Sequence, residues 1–337
     1  MRHFNCLAAI LTVAAAACTR QENPSSQVLP TADGDARITL SQVLPETKTV
    51  STYTEMLANE NKVNDFQLFA FDSDGTAPGS LTSYYHSAEA GATSWTTSLH
   101  RGKKRLLALA NCNAIAPSQF SGWSQASGVV CDSKTSITSA ALPMSVGMWS
   151  PWEMTVAAGE NRNVPIEFIH MVSRITLKSL KNEVHPDLGT NPKGKMIALL
   201  NVPKGMRADG TVLETPVYNP LGQDFSTEAN CAASGGAFTY RALSYTGSTL
   251  NKTCVYVFPG SNVYLLVGVE FTKDSATKTY YYAVPLKGLA YNHTYDLDLT
   301  LRNIGSENPA NPAITEPSSF TFTVKPWDPA EAITELM

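Results

Sequence analysis

The chain has 337 residues, of which 43% are hydrophobic and 16% are charged. This composition is too apolar and too sparsely charged for a disordered chain, and at about 150 residues per domain the length predicts two domains. The formal net charge of −4 at pH 7 argues against a basic surface for nucleic acid. We therefore expect a globular protein without a nucleic-acid partner.

A targeting segment precedes the globular part of the sequence. Met1–His3 is basic, and Leu7–Ala17 is an apolar run far shorter than the roughly 20 residues that span a bilayer. Residues 1–17 therefore predict a signal peptide. Small residues before Cys18 are similar to a bacterial lipobox, whose cysteine receives acyl chains, although Ala15 stands where Leu is usual. An ordinary A-x-A secretory cleavage site is the open alternative.

The remaining cysteines fit an exported protein. Sequence-local disulfides, one for each predicted domain, are the natural pairing. These pairs are Cys112 with Cys131 and Cys231 with Cys254. Free buried thiols are the alternative. Because no C-x-x-C spacing and no histidine cluster accompanies these cysteines, we predict no zinc site and no other metal site.

Beyond a polar tether at residues 19 to about 35, the sequence predicts many short strands and one short helix near Tyr53–Asn59. Alternation within 295–301 is typical of an antiparallel strand with one wet face. Short strands separated by turns predict β-sandwiches, and the length predicts two, with a boundary near Phe168–Arg174. The predicted strands are Ala36–Ser41, Phe66–Phe71, Arg105–Ala110, one or two within Ile166–Leu180, Met196–Val202, Thr253–Phe258, Val263–Phe271, Lys278–Leu286, Thr294–Leu301 and Phe320–Val324.

No motif predicts catalysis or a cofactor. Gly189–Lys195 matches the first seven positions of a phosphate-binding loop, but Met196 replaces the required Ser or Thr and a strand follows instead of a helix. Asp72–Gly75 predicts a solvated turn, because no Glu follows at the spacing that closes a calcium loop. The scattered histidines form no H-E-x-x-H pair, and no G-x-S-x-G elbow is present. We therefore predict a protein that is not an enzyme.

The C-terminal third carries a resemblance to a known family. Asn292–Leu301, Glu307–Pro312 and Phe322–Trp327 resemble the FimA-type fimbrillins, the donor-strand-assembled (type V) pilins of Bacteroidales. Arg105–Asn111 and the His170–Arg174 region are also similar, as is the order of lipobox, strand, loop and strand near the N-terminus. The likeness extends over the whole chain and rests on the order of these motifs.

The resemblance implies an all-β fold with two tandem transthyretin-like Greek-key β-sandwich domains, placed here at 49–170 and 171–326. It also implies an exported lipoprotein of the outer membrane that becomes a subunit of a cell-surface fimbria and contributes to adhesion. In this family a trypsin-like surface protease cuts the loop after the first strand. That strand leaves, and the C-terminal segment of another subunit takes its place. The implied partners are other copies of the chain, minor fimbrial subunits and the protease.

Carried onto this sequence, the resemblance makes residues 18–48 a propeptide that contains the displaced strand, with Ile38 and Leu40 on it. The family usually offers Arg at the cut, but here the basic residue in the right place is a lysine. We therefore predict cleavage between Lys48 and Thr49. The alternative is a solvated loop lysine in a protein that is never processed.

The same resemblance makes residues 327–337 the donor segment that enters a neighbouring subunit. A frayed terminus is the alternative, because the apolar alternation of this segment is imperfect. Its predicted inserting residues are Trp327, Ile333, Leu336 and Met337.

Other functions remain open at this point. A non-polymerising anchor or tip subunit of the same fimbria would share every feature above. A glycan-binding surface lipoprotein would use tryptophans as a stacking platform, and an exported hydrolase would assemble its site in space. The platform candidates are Trp95, Trp123, Trp149 and Trp152.

Overall fold

The computed structural model describes residues 35–43, 60–73, 79–120, 122–123, 130–132, 148–207, 210–316 and 319–326. These residues fold almost entirely into β-strands, which confirms the predicted all-β class. One α-helix, α1 (Glu228–Ala233), and three short 3-10 turns at Pro117–Gln119, Pro186–Leu188 and Ala237–Thr239 complete the regular structure that is described. The helix predicted near Tyr53–Asn59 lies outside the described residues.

The strands of the first half are β1 (Ala36–Gln42), β2 (Phe66–Asp72), β3 (Leu81–Ser87), β4 (Ser94–Leu99), β5 (Gly102–Ala110), β6 (Val130–Asp132), β7 (Met148–Val156), β8 (Asn161–Ile166) and β9 (Ile169–His170). Those of the second half are β10 (Ser173–Asn182), β11 (Thr190–Leu200), β12 (Val202–Arg207), β13 (Val212–Tyr218), β14 (Tyr240–Ala242), β15 (Tyr245–Thr246), β16 (Thr249–Leu250), β17 (Thr253–Val257), β18 (Tyr264–Lys273), β19 (Ala276–Pro285), β20 (His293–Leu301), β21 (Ala313–Ile314) and β22 (Phe320–Pro326). Each predicted strand falls on an observed one. The structure divides the 166–180 region among β8, β9 and β10.

The first half is a sandwich of two sheets. A three-stranded sheet in the order β4-β1-β8 faces a five-stranded sheet in the order β3-β2-β5-β7-β9. Apolar side chains from both sheets meet in one core cluster, to which β1 contributes Ala36, Ile38 and Leu40. We call this cluster the first core.

Two strands of the five-stranded sheet are buried on both faces. On β2, Phe66 and Leu68 point into the first core, whereas Phe69 and Phe71 join a second and larger cluster. On β5, Leu106 likewise lies in the first core, whereas Leu107 lies in the second cluster. This double burial explains why both segments are continuous apolar runs rather than alternating ones.

The larger cluster, here called the second core, belongs mainly to a second sandwich. It lies between a four-stranded sheet, β17-β10-β20-β22, and a five-stranded sheet, β14-β11-β18-β19-β21. Residues 190–195 of the phosphate-loop pattern already lie within β11, so the strand predicted from Met196 begins six residues earlier. The expected wet face of β20 is partly covered, because Thr294 and Asp296 are each only 4% exposed and the Lys325 ammonium of β22 lies 3.6 Å from Asp296.

A short strand joins the two halves. β6 follows the first-half strand β5 in sequence but pairs antiparallel with β12, in the three-stranded sheet β13-β12-β6. At the crossing, a Cβ built on Gly205 would lie 2.5 Å from Val130 Cγ1 and 2.8 Å from the Cys131 carbonyl oxygen. Only glycine permits this approach of the two backbones.

We expect Gly205→Ala to destabilise the protein by about 1–3 kcal/mol, since the added methyl group must push β6 away from β12. Thermal unfolding followed by circular dichroism should show a lower Tm. Arg207→Ala, an exposed position on the same strand, serves as the control and should leave the Tm unchanged. An unchanged Tm in Gly205→Ala would contradict this account of the junction.

Candidate functional site

Two of the predicted site residues, Ile38 and Leu40, lie on β1 within the described structure. The remaining ones that were assigned to lipid attachment, processing and strand donation lie outside the described residues. These are Cys18, Lys48, Thr49, Trp327, Ile333, Leu336 and Met337.

β1 occupies the middle of its sheet. It pairs antiparallel with β4, from Ala36 opposite Leu99 to Ser41 opposite Ser94. On its other side it pairs parallel with β8, from Arg37 opposite Asn161 onward. Within the described ranges β1 is the only ladder partner of both neighbours. Removal of β1 would therefore leave backbone donors and acceptors unpaired on two strands at once.

The side chains of β1 alternate between core and surface. Ile38 and Leu40 are 0% exposed and Ala36 is 1% exposed, whereas Arg37 is exposed. At about 1.5–3 kcal/mol for each fully buried Ile or Leu, the two large side chains contribute on the order of 3–6 kcal/mol. β1 therefore fills three positions of the first core that no other described strand covers.

An aromatic cluster of three rings lies next to β1 in the first core. The Trp95 ring stacks on Phe66, with centroids 4.1 Å apart and planes 10° apart. Phe168 packs edge-on against both rings. Because Trp95 is the direct cross-strand neighbour of Leu40, the environment of its indole ring reports on β1.

Few polar contacts hold the two ends of β1. The Arg37 N–H donates to the Glu160 carbonyl at 2.7 Å, and the Val43 N–H donates to the Ile166 carbonyl at 2.8 Å. The Gln42 side chain donates to the Asn61 carbonyl at 3.0 Å. His100 Nδ1 lies 3.0 Å from Asp35 Oδ1, directly before β1. The strand is thus held mainly by its ladders and its buried side chains, and no described disulfide resists its release.

All four cysteines that the structure describes are buried free thiols, so neither predicted disulfide is present. The Cys112 and Cys131 thiols interact with each other, and this hydrogen bond together with burial raises the pKa of Cys131 well above its usual range. Cys231 and Cys254 lie in different clusters, because α1 places Cys231 on the outer face of the β11 sheet. The predicted partners of this second pair are not brought together.

The tryptophans do not assemble into an exposed platform in the described structure. Trp95 is 3% exposed in the first core. Trp123 is half-buried, with the Arg105 guanidinium 4.4 Å from its ring centroid. Trp152 packs on the first core, and the Trp149 side chain is outside the described side chains.

Two charge pairs with a buried member escaped prediction from the sequence. The Lys104 ammonium, 1% exposed, pairs with Asp72 across neighbouring strands of one sheet. The Glu60 carboxylate, 0% exposed, binds Arg174, which lies 114 residues away in the chain. No local sequence pattern indicates the Glu60–Arg174 pair, because its members meet only after both sandwiches have formed.

The described ranges contain no cluster of three or more potential metal ligands. Among the helices described there, none has the length and apolar character required to cross a bilayer.

Comparison with known proteins shows the fold. No family model and no curated relative matches the chain. A solved structure of a proposed cell adhesion protein from Parabacteroides distasonis superposes with a TM-score of 0.62 at 14% identity, over 89% of this chain and 98% of that one. A second proposed adhesion protein, from Bacteroides eggerthii, gives 0.58 at 17% identity, over 88% and 96%.

The fimbrilin FimA of Porphyromonas gingivalis W83 superposes with a TM-score of 0.53 at 11% identity, over 88% of this chain and 98% of that one. The chain therefore has the β-sandwich fold of fimbrilin and of these Bacteroidales adhesion proteins. The resemblance drawn from the sequence is confirmed at the level of the fold.

Leu40→Ala should destabilise the protein by about 2–5 kcal/mol, because it leaves a cavity between β1 and the Trp95 ring. Denaturant unfolding monitored by tryptophan fluorescence measures this loss. Arg37→Ala removes a side chain of the same strand that faces solvent, and we expect a change below about 0.5 kcal/mol. Equal effects of the two variants would contradict the orientation of β1.

Native protein at about pH 8 should react slowly with iodoacetamide at the four described cysteines, because all four thiols are buried. A raised thiol pKa further suppresses attack at Cys131, Cys231 and Cys254. Burial raises the pKa of Cys231 to about 11, so its thiolate fraction grows only as the pH rises toward that value. Peptide mapping after alkylation in denaturant without reductant should find all four cysteines modified. A cross-linked peptide pair would contradict the free-thiol state.

Proposed function

We propose that this chain is a structural, non-enzymatic subunit of a cell-surface fimbria that assembles by proteolysis-triggered donor-strand exchange and contributes to adhesion. The observation that carries the proposal is the position of β1, which is the shared ladder partner of β4 and β8 and fills the first core. The fold in common with the fimbrilin FimA supports the same function.

The proposal includes export as a lipoprotein. The lipobox-like sequence ending at Cys18 would supply acyl chains, each methylene contributing about 0.8 kcal/mol of membrane affinity, and would hold the precursor at the outer membrane. Processing beyond Cys18 would release the subunit from that anchor into the growing fimbria.

The proposed cut lies between β1 and Glu60. Lys48 is the only Lys or Arg between Arg37 and Lys62, so a trypsin-like protease has one basic target in that segment. Arg37 itself lies within a strand paired on both sides, and a protease cannot bind a backbone that is engaged in this way. Cleavage after Lys48 would therefore free β1 while leaving the remainder of the chain intact.

The slot left by β1 would accept an extended segment from a second copy. Such a segment restores both ladders and places alternate side chains in the positions of Ala36, Ile38 and Leu40. Ordering the incoming segment and immobilising the subunit offset a gain of a few kcal/mol. The persistence of the fibre would then depend on a high barrier to strand release.

Residues 327–337 are the proposed donor, since they follow β22 directly and carry apolar side chains at Trp327, Ile333, Leu336 and Met337. Other copies of the chain and minor fimbrial subunits are the proposed partners of this segment. Neither role requires a cofactor.

The test is assembly of the purified precursor after limited trypsin digestion, followed on an SDS gel without boiling. The wild-type chain should give a ladder of oligomers together with a change in tryptophan emission, since the Trp95 ring loses its neighbour Leu40. Lys48→Gln removes the cut but keeps the chain length and should remain monomeric. A chain truncated after Pro326 should be cut at Lys48 yet form no ladder.

Each outcome decides between functions. Cleaved wild-type protein that remains monomeric would contradict a polymerising role and favour an anchor or tip subunit. A ladder from the truncated chain would exclude residues 327–337 as the donor, and a ladder from Lys48→Gln would exclude the proposed processing.

A further inference from the structure

The structure places a buried polar network directly after the segment in which processing is proposed. Glu60 is the first described residue after 44–59, and its side chain is 0% exposed. Arg174 Nη1 donates to both Glu60 carboxylate oxygens at 2.8 Å, and the Tyr256 hydroxyl donates to Oε1 at 2.6 Å. Arg174 and Tyr256 are cross-strand neighbours on β10 and β17. A first-half carboxylate is thus held by the second half.

The backbone of the same residue is held as well. His170 Nε2 lies 3.3 Å from the Glu60 carbonyl oxygen, and His170 Nδ1 lies 3.1 Å from Asn292 Oδ1. Burial, Cys254 and Glu60 raise the pKa of the Tyr256 hydroxyl, so it remains a donor over the whole physiological range. Burial of this pair is costly, and loss of either partner would leave the other charge uncompensated.

Residues after Glu60 are fixed in large part by hydrogen bonds that do not involve β1. The Asn111 side chain donates to the Lys62 carbonyl at 2.9 Å and accepts from the Asn64 N–H at 2.8 Å. The Val63 carbonyl accepts from the Gly91 N–H at 2.6 Å, and its side chain is 1% exposed in the first core. β1 adds one hydrogen bond to this segment, from the Gln42 side chain to the Asn61 carbonyl.

We propose that Glu60 is an anchor that fixes the start of the processed subunit to the second half, so that only the chain before it leaves with β1. This inference rests on the proposed processing. In this proposal the Glu60–Arg174–Tyr256 network keeps the residues after Glu60 in place when β1 leaves, so that the rest of the first core does not unfold. Without the anchor, residues 60–63 would be held mainly by the Asn111 and Gly91 contacts once β1 has left the first core.

The anchor also ties the slot to the point where the proposed donor departs. Asn292, which contacts His170, precedes His293, and His293 is opposite Pro326 in the β20–β22 ladder. Pro326 is the last described residue before 327–337. The C-terminal end of β1 at Gln42 and the start of the proposed donor after Pro326 are therefore connected through the hydrogen bonds of Asn61, Glu60, His170 and Asn292.

Trypsin itself can test the anchor at Lys62. Its side chain is exposed, but its backbone is held by the hydrogen bond from the Asn111 side chain to the Lys62 carbonyl. Cleavage between Lys62 and Val63 requires residues 60–65 to open locally. During digestion of the full-length protein, intact mass spectrometry should show a wild-type product that begins at Thr49 and persists. In Glu60→Gln the product that begins at Val63 should form about tenfold faster or more.

Two further variants keep the result interpretable. Tyr256→Phe removes one hydrogen bond without stranding a charge, so it should fold and give an intermediate rate of cleavage at Lys62. Glu307→Gln breaks an exposed pair in which Lys278 lies 2.9 Å away, and it should match the wild type. Equal rates of cleavage at Lys62 in the wild type, Glu60→Gln and Tyr256→Phe would overturn the anchor.

The same digest distinguishes failure of the anchor from failure of the proposed function. Oligomer formation tests strand exchange, whereas the Val63 product is measured on monomers and does not depend on assembly. If Lys48 is not cut at all, the rate of hydrogen exchange at the amides of residues 61–65 in the uncut protein tests the anchor instead. Exchange in Glu60→Gln that is no faster than in the wild type would then overturn the proposal.

Discussion

Two strands of the first half, β4 and β8, are joined to each other only through β1 within the described structure. The same strand provides three buried side chains of the first core. Backbone pairing and apolar burial therefore depend on one short segment, which is the first described strand. Any partner that replaces β1 must satisfy both requirements, and an extended segment with small and large apolar side chains in alternation does so.

The rest of the first half does not share this dependence. β2 and β5 bury one face in the first core and the other in the second core, which is built mostly from the second sandwich. β6 adds a backbone connection to β12, and Glu60 adds a buried ionic one to Arg174. The loss of β1 would open one face of the central sheet, while the other face and the junction remain packed. This arrangement would allow the proposed strand exchange to proceed without global unfolding.

The cysteine thiols of the described structure are buried in densely packed regions. Burial raises the pKa of Cys231 and Cys254, and contact with Cys112 does so for Cys131, so these thiols are poor nucleophiles. Trp95, which could have stacked on a sugar, is instead the aromatic neighbour of β1. The most distinctive physical property of this half is thus the dependence of β4 and β8 on the single strand β1.

Alternation predicted β1 and β20, and short apolar runs bounded by turn residues predicted β2, β5 and several second-half strands, because both patterns need only local sequence. These patterns missed β3, β4 and β8, where Ser, Thr, Asn and Pro dilute the pattern and burial comes from neighbouring strands. Alternation also suggested a wet face on β20, which β22 covers in part.

The amino-acid pattern was sufficient to predict the all-β class and the inward positions Ile38 and Leu40. The three-dimensional arrangement was needed to show that β1 is central, that Cys231 and Cys254 lie apart, and that Glu60 contacts Arg174. The physical reason is that side-chain orientation repeats within one strand. Strand pairing and charge burial, by contrast, join residues that are distant in the chain, such as Glu60 and Arg174, which are 114 positions apart.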